Sequence, residues 1–183
     1  MYLYRAGEGG DDKPRIQLLA SGISVPWALK AADILAADYD VVADVWSVTS
    51  WNELARDAEA AERWNLNHPG EQPRTPYVTQ RLSSTSGPVV AVSDYMRAVQ
   101  DQIARWVPND WQSLGADGYG FADTRAAARR FFQIDAESIV VSALQTLAHR
   151  GEVKPETVSD AFSRLQIDDP TAVADVEQEG SPA

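Results

Sequence analysis

Strand-like and helix-like stretches alternate through the middle of this chain, and that alternation constrains the fold more than any other feature. SVPWALKAADILAADY (24–39) reads as a helix and VVADVWSV (41–48) as a strand. A helix follows from about Trp51 to Trp64, opened by Ser50-x-x-Glu53, a capping box. GPVVAVSD (87–94) is a strand of the fully buried type, almost wholly apolar in its middle. MRAVQDQIARWV (96–107) is helical and stops before Pro108, and DWQSLGA (110–116) is a further short strand. Strands separated by helices are joined by crossovers, so the pattern predicts βαβ units. It therefore predicts an α/β fold with a mainly parallel sheet and helices on both faces.

The ends of the chain refine this. YLYR (2–5) and RIQLLAS (15–21) predict two strands, and the polar loop GEGGDDKP between them suits a hairpin that would add an antiparallel edge strand. Ser24 is placed to cap the first helix, and Pro26 is tolerated in its first turn. NHPGEQPRTP (67–76) is a loop, and YVTQRL is a short helix or an extended piece. After the glycine-punctuated loop GADGYGFADTR (115–125), Asp123 is placed to cap a helix over 124–132. In DAESIVVSALQTLAHRG (135–151), Ile139, Val140, Ala143, Leu144 and Leu147 form one apolar face; Gly151 can end that helix. KPETVSDAFSRLQI (154–167) is a last helix. The acidic 168–183 lacks periodicity and is expected to be a mobile tail, so the domain itself is taken as 1–167.

Composition excludes several functions. The chain has 183 residues, 44% of them hydrophobic, enough for a core that buries about 70% of the unfolded surface. Its net charge of -11 opposes binding to nucleic-acid phosphates and docking on anionic membranes. With no cysteine there is no disulfide, zinc-thiolate site, iron–sulfur cluster or thiol nucleophile. No apolar run approaches the ~20 residues that span a bilayer. The chain reads as a cytoplasmic protein.

Parallel α/β sheets bind ligands beyond the carboxyl ends of their strands. GADGYG lies there, between a strand and a helix, but it lacks the Gly-x-Gly-x-x-Gly order and a Walker lysine, and Asp117 and Asp123 would repel phosphate. A tight turn with an Asp cap explains it better. Asp94, Asp117 and Asp123 are the carboxylates that could gather round a divalent cation, with caps and turns the favoured reading of the last two. His68 lies in a Pro/Gly loop and His149 in a last helical turn, neither placed for catalysis. The six tryptophans, with Tyr77, Tyr95 and Tyr119, exceed what one core needs. Those near strand ends are expected to meet another domain or subunit.

DVWSVTSWNELARD (44–57), ERWNLNHPGEQPRTPYVTQ (62–80), VAVSDYMRAV (90–99), LGADGYGFADTR (114–125), DAESIVVSAL (135–144) and RGEV (150–153) resemble the C-terminal domain of the homodimeric bacterial pyruvate dehydrogenase decarboxylating component. The acidic ending is similar to actinobacterial members. The resemblance runs from about Tyr2 to Asp168 and implies a transketolase C-terminal-domain-like fold with a mostly parallel five-stranded sheet. It implies an enzyme that oxidatively decarboxylates pyruvate with thiamine diphosphate and Mg²⁺, then passes acetyl to lipoyl groups on the acyltransferase component. The family's Gly-Asp-Gly and Asn-Asn cofactor motif has no match here, since Ala116-Asp117-Gly118 departs from it. Its catalytic glutamate and active-site histidines have no counterpart either. This chain is therefore expected to bind no cofactor or metal, to carry no catalytic residue and to be inactive alone. It looks like a fragment or split product whose partners are the N-terminal and middle domains of the same enzyme and a second copy in the homodimer. The expected contact residues are Trp46, Trp51, Tyr95, Asp117, Tyr119 and Arg125. The competing expectation is a stand-alone, non-catalytic α/β binding module.

Overall fold

The computed structural model describes residues 1–10 and 12–169. The last helix and the start of the expected tail fall within these limits; residues 170–183 lie outside them. Five strands form one sheet: β1 (Tyr2–Arg5), β2 (Arg15–Ala20), β3 (Val42–Ser47), β4 (Val89–Val92) and β5 (Trp111–Leu114), in the order β1-β3-β2-β4-β5. Among the described residues seven α-helices are interspersed: α1 (Ser24–Tyr39), α2 (Trp51–Asn67), α3 (Tyr77–Leu82), α4 (Arg97–Asp101), α5 (Arg125–Phe131), α6 (Ala136–His149) and α7 (Pro155–Arg164). The parallel core places Leu18 between Val45 of β3 and Val90 of β4.

The edge strand is antiparallel as expected, but its partner differs. β1 pairs with β3, Leu3 opposite Trp46, and there is no β1–β2 hairpin. The reason lies in β2. Ile16, Leu18, Leu19 and Ala20 are fully buried, which demands a central strand with both edges occupied. β3 and β4 take those edges in parallel. The more exposed β1 is left at the rim.

Side chains alternate across the sheet and serve two cores. Ile16, Leu18, Val45, Val90 and Val92 meet α1 and α6 on one face. Leu19, Trp46, Val89 and Ala91 meet Trp51 and Leu54 of α2, Val78 and Leu82 of α3, and Ile103 on the other. Within the second layer a polar cluster is closed. Asp44 accepts both from Arg15 Nη1, at 2.9 Å, and from the Gly7 N–H, at 2.8 Å. Gln17 Nε2 donates to Asp44 and to the Ser86 carbonyl, while Gln17 Oε1 accepts from the Trp46 indole at 2.7 Å.

Three local expectations are corrected. Ser24 does not cap α1: Ile23 holds the cap position without a side-chain bond, and the chain enters the helix through a turn closed by Ser24 N–H on the Ser21 carbonyl. Asp123 is one residue too early. Thr124 caps α5 by accepting from the Ala127 N–H, while Asp123 accepts from Thr124 N–H. The helix read over 96–107 breaks into α4 and a 3-10 turn at Ala104–Trp106. Gln100, fully buried, explains the break by its anchors: it accepts from Ser93 Oγ and donates to the Leu114 carbonyl, holding this segment against two strand ends. The Ser50 cap is present, its Oγ accepting from Glu53 N–H at 3.2 Å; the Glu53 carboxylate pairs with Arg56.

Candidate functional site

The site is built by topology. From β2 the chain crosses through α1 to β3 on one side, and it returns to β4 on the other side of β2. The loops leaving β2 and β4 therefore diverge, and a crevice opens at their carboxyl ends. Its volume is about 750 Å³, and Ser21, Gly22, Ser47, Thr49, Ser50, Asn52, Asp94 and Tyr95 line it with Val48, Trp51 and Val99. Six hydroxyl or amide side chains and one carboxylate face it, and no Lys or Arg does. Apart from Asp94, the carboxylates weighed from the sequence do not contribute to its lining.

Beside the crevice, the loops after β4 and β5 are locked together. Ala116 N–H donates to the Tyr95 carbonyl at 2.9 Å. Asp117 accepts from Arg97 N–H at 2.9 Å and pairs with the Arg97 guanidinium. The backbone N–H first, and the guanidinium with it, hold the Asp117 carboxyl below the usual carboxylate range. Gly115 is required at this junction, because a Cβ there would lie 2.5 Å from the Tyr95 carbonyl oxygen and 2.7 Å from Arg97 N. A second hollow of about 390 Å³ lies along this junction, between Arg97, Asp117 and Phe131.

The sequence-derived contact residues divide. Trp46 and Trp51 are 4% and 3% exposed, packed inside this domain's own core. Little of either indole is left for the neighbour expected from the sequence, Trp51 showing its small exposed remainder to the crevice. The physical reason is that each N–H finds an internal acceptor: Gln17 Oε1 for Trp46 and Ser21 Oγ for Trp51. Trp106 and Trp111 are partly buried too, donating to Glu62 and Asp101. Tyr95 and Tyr119 are 58% and 97% exposed; Asp117 shares the loop of Tyr119, and Arg125 opens α5 at that loop's end. The sequence reading missed Met96, Phe121 and Phe131, which extend this exposed apolar surface, Phe121 stacked on Phe131 at 4.3 Å. Met96 and Phe121 carried a signal in their positions in the loops after β4 and β5, which the tryptophans overshadowed; Phe131, the last residue of α5, did not.

His68 stacks on Trp64 and its Nδ1 lies 2.7 Å from the Trp64 carbonyl; Arg74 covers the same indole. That cluster closes the end of α2. His149 lies in the last turn of α6, followed by Gly151 in the left-handed region at φ 75°. Asp94, Asp117 and Asp123 do not come together as a cation site; among the described residues no three His, Asp or Glu side chains are grouped to hold a metal. The crevice likewise does not fit a thiamine diphosphate with its Mg²⁺: it offers no cationic side chain to a diphosphate and a single carboxylate to a cation.

A doubly wound α/β domain with one antiparallel edge strand and its crevice at the switch point is a fold that serves many functions, so sequence relationships must narrow it. Residues 1–135 match the model of the transketolase-like TK C-terminal domain, and the chain belongs to that family. It is 53% identical over 94% of its length to the pyruvate dehydrogenase E1 component of Mycolicibacterium smegmatis, covering 18% of that protein. The corresponding component of Mycobacterium tuberculosis is 51% identical over 92% of this chain and 18% of its own length. That of Escherichia coli K12 is 46% identical over 85% and 18%. The chain thus spans about a fifth of the length of these relatives. A transketolase from Leishmania mexicana superposes with a TM-score of 0.49 at 18% identity, over 79% of this chain and 18% of that one. No helix among the described residues is long and apolar enough to cross a membrane.

Proposed function

We propose that residues 1–167 form one domain of a pyruvate dehydrogenase decarboxylating enzyme, acting in the cytoplasm as a homodimer. The observation that carries this reading is the identity of about half over nearly the whole chain with proteins named pyruvate dehydrogenase E1 component. The complete enzyme decarboxylates pyruvate and transfers acetyl to lipoyl groups of the acyltransferase component. Thiamine diphosphate, held with Mg²⁺ by other domains, supplies the carbanion stabilisation when bound. This chain contributes assembly. Its exposed strand-end surface around Tyr95, Asp117, Tyr119 and Arg125 packs on the remaining domains or the second subunit. Exposed aromatic patches of this kind mark docking surfaces.

The test is the complete gene product, purified with thiamine diphosphate and Mg²⁺ and assayed for pyruvate-dependent acetylation of lipoyl groups. Activity of the complete product, with none from the 183-residue chain, supports the proposal. An inactive complete product that binds its cofactor refutes it. An immunoblot of source cells separates the alternative of a stand-alone module, which would run near 20.0 kDa.

A further inference from the structure

We propose that the crevice at the carboxyl ends of β2, β3 and β4 receives an arginine side chain carried by a segment of the longer polypeptide to which this domain belongs. The inference deepens the assembly role proposed above and rests on it for the source of the arginine. Three observations combine. First, Asp94 at the crevice is exposed and makes no hydrogen bond or ion pair with any described residue. Nearby Asp117, by contrast, is fully engaged by Arg97. Second, no residue lining the crevice is cationic, in a chain of net charge -11, so a cation that pairs with Asp94 would come from outside the crevice. Third, Tyr95 stands beside Asp94, 58% exposed, and the hydroxyls of Ser47 and Thr49 line the same crevice as further acceptors.

Guanidinium suits this set better than ammonium. It forks onto a carboxylate, stacks on an aromatic face and spends its remaining N–H groups on neutral oxygens. The same molecule already lays guanidinium on aromatic rings at 4.1 Å, Arg74 over Trp64 and Arg105 over Trp106. The opposing influence is the N-terminus of α2, which also faces the crevice and favours anions. Its partial charge is about half a unit, and Ser50 already caps one of its N–H groups, so the full charge of Asp94 decides the sign. At about 750 Å³ the crevice exceeds one side chain, and it admits the turn of backbone that presents the arginine.

The test titrates the 183-residue chain with N-acetyl-arginine methylamide, read by amide chemical shifts. Saturable shifts confined to 21–22, 47–52 and 94–99 are expected, about five-fold weaker affinity with the neutral citrulline analogue, and the same loss in Asp94→Asn. Asp94 is exposed, so this variant should keep the parent melting temperature. Equal affinity for citrulline, pyrophosphate binding in preference to arginine, or absence of shifts overturns the inference. In the complete polypeptide the probe should not bind, because the crevice is filled. Binding that persists there shows a free ligand's site instead, and overturns the assigned source. Catalytic failure of the complete product would leave the probe result standing, so the two readings fail separately.

Discussion

The indole N–H of Trp46 on β3 donates 2.7 Å to Gln17 Oε1 on β2, and both side chains are buried. Gln17 in turn holds Asp44 and the Ser86 carbonyl, so one neutral side chain connects an ion pair, an aromatic ring and a loop. Trp46→Phe removes the donor and leaves Gln17 Oε1 buried without a partner. The expected loss is about 1–3 kcal/mol from the orphaned acceptor, plus packing, read as a lower urea midpoint. A variant as stable as the parent would show that the bond contributes nothing net.

Trp51 packs in the core with 3% exposure, so Trp51→Ala should destabilise this chain itself by about 3–5 kcal/mol. Tyr119→Ala, at 97% exposure, should leave the melting temperature of the chain unchanged while weakening dimerisation of the complete enzyme. Thermal melts and sedimentation together distinguish a core role from a contact role for the two aromatics.

Arg130 is 3% exposed and donates to Asp135 at 2.5 Å and to the Leu165 and Gln166 carbonyls. Glu137 lies 3.6 Å from it. Arg130→Met leaves Asp135 buried without its cation, an expected cost of about 3–5 kcal/mol. Hydrogen exchange should show the loss first at residues 164–167, where the two carbonyls are released.

Gly87 sits at φ +83°, and a Cβ there would lie 1.8 Å from the Arg15 carbonyl oxygen. The neighbour is backbone of a central strand and cannot yield without breaking β2. Gly87→Ala should cost at least about 2 kcal/mol, seen as a lower urea midpoint with an unchanged slope. Gly118→Ala, also at positive φ but with open space around it, provides the strain-only comparison.

The Asp117 carboxyl is held below its ordinary range by the Arg97 N–H and guanidinium. Its folded pKa is depressed, so its contribution to loop order is present above the unfolded value of about 3.9 and lost as pH falls through the folded one. An NMR titration should find Asp117 protonating below the ordinary carboxylate range, with the Arg97 amide moving in step. Titration of Asp117 at an unshifted value would refute the latch between the two loops.

Much of this was legible in the residues. The apolar runs of β2 and β4, the Ser50 cap and the periodicity of α6 are local properties of the chain, so pattern alone determined the α/β class and most helix positions, though not the break after α4. The family resemblance was carried by long contiguous segments in the same way. Pairing was not legible. YLYR and RIQLLA adjoin in sequence, yet β1 is paired by β3, because the burial of β2 on both faces assigns its edges to parallel neighbours, which is a competition among distant segments. Nor was the fate of the aromatics. Trp46 and Trp51 have the composition of contact residues, and only the tertiary arrangement supplied Gln17 Oε1 and Ser21 Oγ, the acceptors that let their indoles be buried. The crevice was decided last and at the same level: where the chain turns back across β2 sets which loops diverge, and that reversal depends on three strands together rather than on any one of them.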